Sequence, residues 1–314
     1  MIYKIRVLWY NKPDFIYSQG DFMSKIAVVT DSNSGISQKE ANETEGLFVI
    51  PMPFMINEEE YFEDINLTQD EFYKMLAGDC DISTSKPSLG SVIELWDSIL
   101  KDYDEIVHIP MSSSLSSACE TAINFATEYN GRVQVVDNQR ISVTQRQSVM
   151  DALALAKEGK SAGEIKKYLI DTKKDSSIYI MVPTLKYLKR GGRITPAAAA
   201  IGTLLKIKPV LQIQGGKLDS FAKVLNEKVA REKMIAAIKK DLETRFKQFV
   251  DNGEIELSIA HTNCIEKAKD FAAQVAAEFP GLKIRFIDPL SLSVSCHIGE
   301  GALAVTCERV YKNK

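Results

Sequence analysis

The stretch EIVHIPMSSSLSSACETAINFATEYNGRVQVVD, residues 105–137, carries the fold in miniature. EIVHIP is a short apolar run of strand character, SSACETAINFATEY reads as a helix, and RVQVVD is a second strand. Two neighbouring strands joined through a helix lie parallel, because the crossover returns the chain to the edge of the sheet from which it started. Five serines (112–114, 116 and 117) stand where the first strand hands over to the helix. Hydroxyls there either cap the free N–H groups of the helix or, with the positive end of its dipole, hold a small anion. Ser117 with Glu120 fits a capping box, as does Ser91 with Glu94.

Working outward, the same alternation extends through residue 173. KIAVVT (25–30) reads as a buried strand followed by the turn DSNSG, and LFVIPMPFMI (47–56) as one more strand. LTQDEFYKMLAG (67–78) has a Thr N-cap, an acidic first turn and a Gly stop, which predicts a helix. Helices are also expected from Pro87 to Leu100, over SVTQRQSVMDALALAKEG and over SAGEIKKYLIDTKKD. This pattern predicts a parallel sheet with helices on both faces. After residue 175 it changes: SIYIMVP is a strand, an Ala-rich helix follows, and KPVLQIQGGKLDSF reads as a hairpin turning at Gly215-Gly216. A long charged helix (KVAREKMIAAIKKDLETRFKQFV) and the strands EIELSIAH, KIRFID and GALAVTCER complete a second α/β half with a mixed or antiparallel sheet. The expected domains are 23–174 and 175–314, with a ligand between them. Residues 1–22 are expected to be an extension ahead of a natural start at Met23, or else to add an edge strand, IRVLWY.

Composition narrows the function classes. The 314 residues are 45% apolar and 26% charged with a net charge of −3, so nothing electrostatic favours a nucleic acid, and membrane contact is expected to be at most transient and at the surface. Five cysteines without a CxxC pair read as reduced, mostly buried thiols of a cytoplasmic protein. With three histidines and no ligand spacing, no metal is expected. There is no G-x-S-x-G elbow and no P-loop motif. GEGALA (299–304) imitates a dinucleotide fingerprint but lacks the acidic residue such a site needs about 20 residues on, so no cofactor is expected.

In an open α/β sheet, ligands bind beyond the carboxyl ends of the strands. Three polar loops fall there: TDSNSG, TSKPS and SSSLSS. For Asp31, Ser32 and Asn33, turn chemistry is the plain reading. His297, in CHIGEG, precedes Gly299 and Gly301 and reads either as a structural histidine or as a ligand beside glycines that let backbone come close. His108 and His261 read as structural.

Taken together, TDSNSGIS, TSKPS, IPMSSSLSSACETA, LKRGGRITPAAAAIGTLLKIKPVLQIQGGKL and HIGEGAL resemble the DegV family in order and spacing, over residues 24–312. The resemblance implies a two-domain α/β protein that binds a long-chain fatty acid, the acyl chain in a tunnel and the carboxylate on hydroxyls between the domains. It implies a binding subunit without catalytic residues, whose partner is a fatty acid kinase. By motif, Thr84, Ser116 and His297 are the implied carboxylate ligands. Ser85, Ser113, Asp31, Ser32 and Gly299 are implied in support, and Gly191, Gly192 and Arg193 as a turn that shapes the site. Three departures stand out. Ser117 and Ala118 replace the Gly-Thr of the usual S-x-LSGT loop, Lys86 stands where Gln is common, and Leu225-Asn226 occupy a position where the family often carries an arginine tied to kinase coupling. Two other readings therefore stay open. One is a hydrolase or transferase of small acyl or phosphoryl substrates, with a hydroxyl nucleophile and His297 as base; the other is a lipid sensor without a kinase. The alanines at 197–200 leave room either for a ligand tail or for close helix packing.

Overall fold

The computed structural model describes residues 24–78, 80–201 and 207–312. The expectations for residues 1–22 lie outside the described residues. The first half runs β1 (Ile26–Asp31), α1 (Gln38–Glu43), β2 (Leu47–Ile50), β3 (Pro53–Ile56), β4 (Glu59–Phe62), α2 (Gln69–Leu76), β5 (Ile82–Thr84), α3 (Leu89–Ile99), β6 (Glu105–Ile109), α4 (Ala118–Ala126), β7 (Val133–Val135), α5 (Val143–Lys157) and α6 (Ala162–Asp171). The strands β2-β1-β6-β7 form an all-parallel sheet in that order. Its two faces follow from the period of two along β1. Ile26 and Val28 pack with α5 and α6, while Ala27 and Val29 pack with Trp96 of α3 and with Cys119 and Ala122 of α4. Helices therefore cover both faces, as the alternation predicts.

The second half runs β8 (Ser176–Met181), α7 (Lys186–Gly191), α8 (Pro196–Ile201), β9 (Lys208–Ile213), β10 (Asp219–Val224), α9 (Glu227–Glu243), α10 (Lys247–Asp251), β11 (Ile255–His261), α11 (Ile265–Glu278), β12 (Ile284–Pro289), α12 (Leu292–Ile298) and β13 (Leu303–Arg309). Its six strands lie in the order β10-β9-β8-β13-β11-β12; every pairing is antiparallel except β11 with β12. One face, including Tyr179, Leu257 and Val305, packs under α9 and α11. The other, including Ile178, Ile180, Leu211 and Ala304, shares a core with Met52, Met111, Leu115 and Ile141 of the first half. A cavity lies within this shared core.

Local chemistry corrects four expectations. LFVIPMPFMI is two strands rather than one: β2 joins the parallel sheet and β3 becomes the centre of a separate antiparallel sheet, β4-β3-β5. Pro51 and Pro53 explain the break, since neither can donate to a ladder and Pro53 fits as a first strand residue. The long charged helix ends at Glu243, and α10 forms after it. The cap of α3 is Ser88, whose hydroxyl accepts from Ser91 N, so Ser91 lies inside the helix. Ser117 makes no side-chain cap at α4; there the Ser116 hydroxyl accepts from Ala118 N at 3.2 Å. The Thr68 cap of α2 and the hairpin β9–β10 form as the sequence predicts. Ala198 and Ala199 pack into the shared core and do not line the cavity described below, so at these positions small side chains serve packing.

Candidate functional site

Three segments converge on one cavity of about 220 Å³. β5 alternates buried Ile82, exposed Ser83 and half-buried Thr84, and delivers Thr84, Ser85 and Lys86 to one wall. The loop after β6 folds back on itself, with Leu115 N and Ser116 N donating to Ser112 O at 3.0 and 3.1 Å, and brings Met111, Leu115, Ser116 and Ser117 to a second wall. A third wall comes from α12, where Ser293, Val294, His297 and Ile298 fall at one helical face. Arg193 and Leu188, from the RGGRI region, complete the polar end with Leu218 and Ile141 beyond.

Thr84 and His297, 213 residues apart, are joined by a hydrogen bond of 2.8 Å between Oγ1 and Nε2. Burial, and then the guanidiniums of Arg193 and Arg190, push the His297 imidazole down to about 4, so it is neutral at physiological pH. Gly191 makes this placement possible, because a Cβ there would come within 2.0 Å of His297 Nδ1. Gly299 ends α12 with φ +79°, and a Cβ on it would overlap the Tyr187 ring at 2.6 Å. Gly192 caps α7, and Arg193 donates back to Gly191 O.

The remaining residues singled out in the sequence stand outside this cavity, each with a partner. Ser113 is bound to Asp137 through its hydroxyl at 2.6 Å and through its N–H. Ser32 accepts from Met52 N at 3.1 Å, and Asp31 accepts from Met111 N at 2.7 Å, so both hold the backbones of methionines that do line the cavity. Asn33 accepts from Ser291, the N-cap of α12, at 2.9 Å. The TDSNSG loop thus pins three cavity segments from behind. Asp31 is fully buried, and burial pushes its carboxyl up to about 6 against the hydrogen bonds it accepts. His108 is buried edge-on against Trp96, and His261 Nδ1 accepts from Cys264 N at 3.3 Å; both have structural surroundings.

Past the polar end the cavity turns apolar. Ile141, Leu218, Val294 and Ile298 line both it and a deeper space of about 40 Å³ that runs along Ile178, Ile180, Ile213 and Ala304 of the six-stranded sheet. Of these residues, sequence reasoning missed the whole contribution of α12 before His297. The seven-residue LSVSCHI segment has too few apolar positions to declare itself a helix, although Ser291 as an N-cap to Val294 is a usable signal. It also missed Glu63, which accepts from Leu292 N at 2.9 Å and from Gln69 and so clamps the small β4-β3-β5 sheet onto α12. Tyr73 adds a hydrogen bond to Ser295 at 2.9 Å across the same contact. Among the described residues no group of three or more His, Cys, Asp or Glu could hold a metal, and no helix is long and apolar enough to cross a membrane.

The protein is thus a mixed α/β fold with a hydroxyl- and imidazole-lined pocket that shares Ile141, Leu218, Val294 and Ile298 with a small apolar space beside it. Comparison with known proteins gives its family: the DegV family model, described as an uncharacterised protein family, matches residues 25–310, and this chain belongs to the DegV family. A DegV domain-containing protein of Staphylococcus aureus (strain N315) is 30% identical over 284 residues, 90% of this chain and 98% of that protein. A DegV family protein from Thermus thermophilus, described as fatty acid binding, superposes with a TM-score of 0.81 at 27% identity, over 91% of this chain and 100% of that one. DegV of Bacillus subtilis, described as a fatty acid binding protein, gives a TM-score of 0.77 at 29% identity, over 91% and 99%.

Proposed function

We propose that this chain binds a long-chain fatty acid in the cytoplasm, as a two-domain carrier divided into residues 23–174 and 175–314. The carboxylate is held at Thr84, Ser116 and His297, and the acyl chain runs past Val294 and Ile298 into the space over the six-stranded sheet. The observation that carries this reading is the adjacency of the two cavities: the polar one and the apolar one share four wall residues. Burying an acyl chain gains roughly 0.8 kcal/mol per methylene, so about a dozen methylenes are worth on the order of 10 kcal/mol before ordering costs. A buried carboxylate costs several kcal/mol unless it is hydrogen-bonded, and clustered hydroxyls with a neutral imidazole offset that cost. The described fatty acid binding of the Thermus and Bacillus relatives supports the same ligand.

We further infer a binding role without chemistry of its own. His297 is bonded to Thr84, the pairing a threonine nucleophile would need, but among the described residues no carboxylate lines the cavity to orient the imidazole, and the Ser116 hydroxyl accepts from a helix N–H. The head group lies near the surface-exposed Lys86, where a fatty acid kinase can reach it for phosphorylation. A carrier or sensor that works without a kinase is the second reading. It is favoured by Leu225, 76% exposed where the family often has arginine, and by Asn226, which is occupied as the cap of α9. Mass spectrometry of lipid released by denaturing the purified protein tests the binding reading. A stoichiometric fatty acid that is lost in Thr84→Ala and Ser116→Ala is expected; an empty protein that also takes up no added hexadecanoate overturns it. Addition of a fatty acid kinase and ATP to the loaded protein then separates the two partner readings by formation, or not, of acyl phosphate.

A further inference from the structure

Lys86 follows directly on Thr84 and Ser85 and lines the polar end of the cavity. Its ammonium crosses to α4 and donates to Thr121 Oγ1 at 2.9 Å, while that hydroxyl donates onward to Ser117 O at 3.0 Å. The side chain therefore joins the segment that carries Thr84 to the helix that begins just after Ser116. Among the described residues no carboxylate forms an ion pair with Lys86, and none lines this cavity. The other cation there, Arg193, is tied to Gly191 O on its own turn. Thr84, Ser116 and neutral His297 offer hydrogen bonds but no charge, and Arg193 is held on its own turn, so a carboxylate there gains from a second cation that can move in to bond it directly. An exposed ammonium resting on one neutral hydroxyl gains by exchanging it for an oxyanion, since charge-assisted hydrogen bonds are roughly twice as strong as neutral ones.

We propose that Lys86 is a movable strap over the mouth of the cavity, and that it leaves Thr121 to become a fourth, charged ligand of the bound carboxylate. The inference rests on the fatty-acid reading above. It makes head-group affinity in this chain depend on charge in a way that glutamine, common at this position in the resembling family, does not provide. It also makes Lys86 a determinant of acid over uncharged lipid.

The test is calorimetric titration of delipidated protein with hexadecanoate at about 20 mM and about 0.5 M salt, using wild type, Lys86→Gln, Lys86→Arg and the remote surface variant Lys239→Gln. An ion pair predicts that Lys86→Gln binds about tenfold more weakly at low salt, with the deficit shrinking at high salt as screening removes the wild-type advantage. Lys86→Arg and Lys239→Gln stay close to wild type. Unchanged affinity of Lys86→Gln at low salt overturns the proposal. A deficit equal at both salt concentrations also overturns it, because a packing role is not screened. If wild type fails to take up hexadecanoate at all, the fatty-acid reading itself falls and takes this inference with it.

Discussion

His297 reaches Thr84 only because the residue facing its other ring nitrogen is Gly191. Replacing Gly191 with alanine would put a methyl group inside the imidazole and turn the ring off Thr84. Overpacking of this kind typically costs about 1–3 kcal/mol. The expected outcome is a hexadecanoate affinity lowered about tenfold or more in a protein that still unfolds cooperatively, although Gly191 contributes no side chain to the ligand. Titration calorimetry with a thermal melt checks this. Asp31 and Ser32 act at one remove, through the Met111 and Met52 backbones. Ser32→Ala frees the N–H of buried Met52, and a loss of about 1 kcal/mol of stability is expected in chemical denaturation.

The decisive element is α12, seven residues long and too short to be stable on its own. It is held from one side by Ser291 and Asn33, and from the other by Glu63 and Tyr73 of the small sheet and α2. With its first turn held in this way and His297 bonded to Thr84 near its other end, Val294 and Ile298 stand where the polar and apolar spaces meet. Filling that junction should shorten the acceptable chain. Val294→Phe is expected to lower octadecanoate affinity about tenfold while leaving decanoate within about threefold, read by competition between the two acids. Tyr73→Phe removes one buried hydrogen bond across the clamp, and a loss of about 1 kcal/mol is expected in the same denaturation assay.

At the scale of the whole molecule, buried ionisable groups link stability to pH. Burial pushes Glu63 and Glu308 up to about 7, the latter despite hydrogen bonds from Ser258 and Thr306. A carboxyl raised in the folded state holds more protons there than in the unfolded chain, so its contribution to stability is fully present below its ordinary value and is lost as pH rises through about 7. The histidines oppose this at lower pH. Burial pushes His108 down to about 3 and His297 to about 4, so their contribution is lost as pH falls below about 6.5 toward those values. The two effects leave a clear window. Between pH of about 8.5 and 6.5 the two raised glutamates respond most, and the lowered histidines His108, His261 and His297 only begin to oppose them at the acid end. Thermal stability is therefore expected to rise as pH falls across it. Glu308→Gln should flatten that rise, as scanning calorimetry at the two pH values would show. A wild-type melting temperature that falls on acidification within this window is the outcome against it.

What the residues determined by themselves was the periodic part of the protein. Alternation along KIAVVT and EIVHIP specified a two-faced parallel sheet, Gly215-Gly216 marked the hairpin, and the polar loops at strand ends, together with the family motifs, pointed to Thr84, Ser116 and His297. These are local signals, written in spacing, turn chemistry and motif. Tertiary structure alone decided that Thr84 and His297 touch, that Ser113 is consumed by Asp137, and that a helix as weak as α12 forms at all. It also decided that the cavity lies between the face of one sheet and the loops of another half of the chain. The reason is physical: periodicity tells which side of an element is buried, whereas a cavity is what remains when elements far apart in sequence pack, and its walls are set by the anchors that hold them.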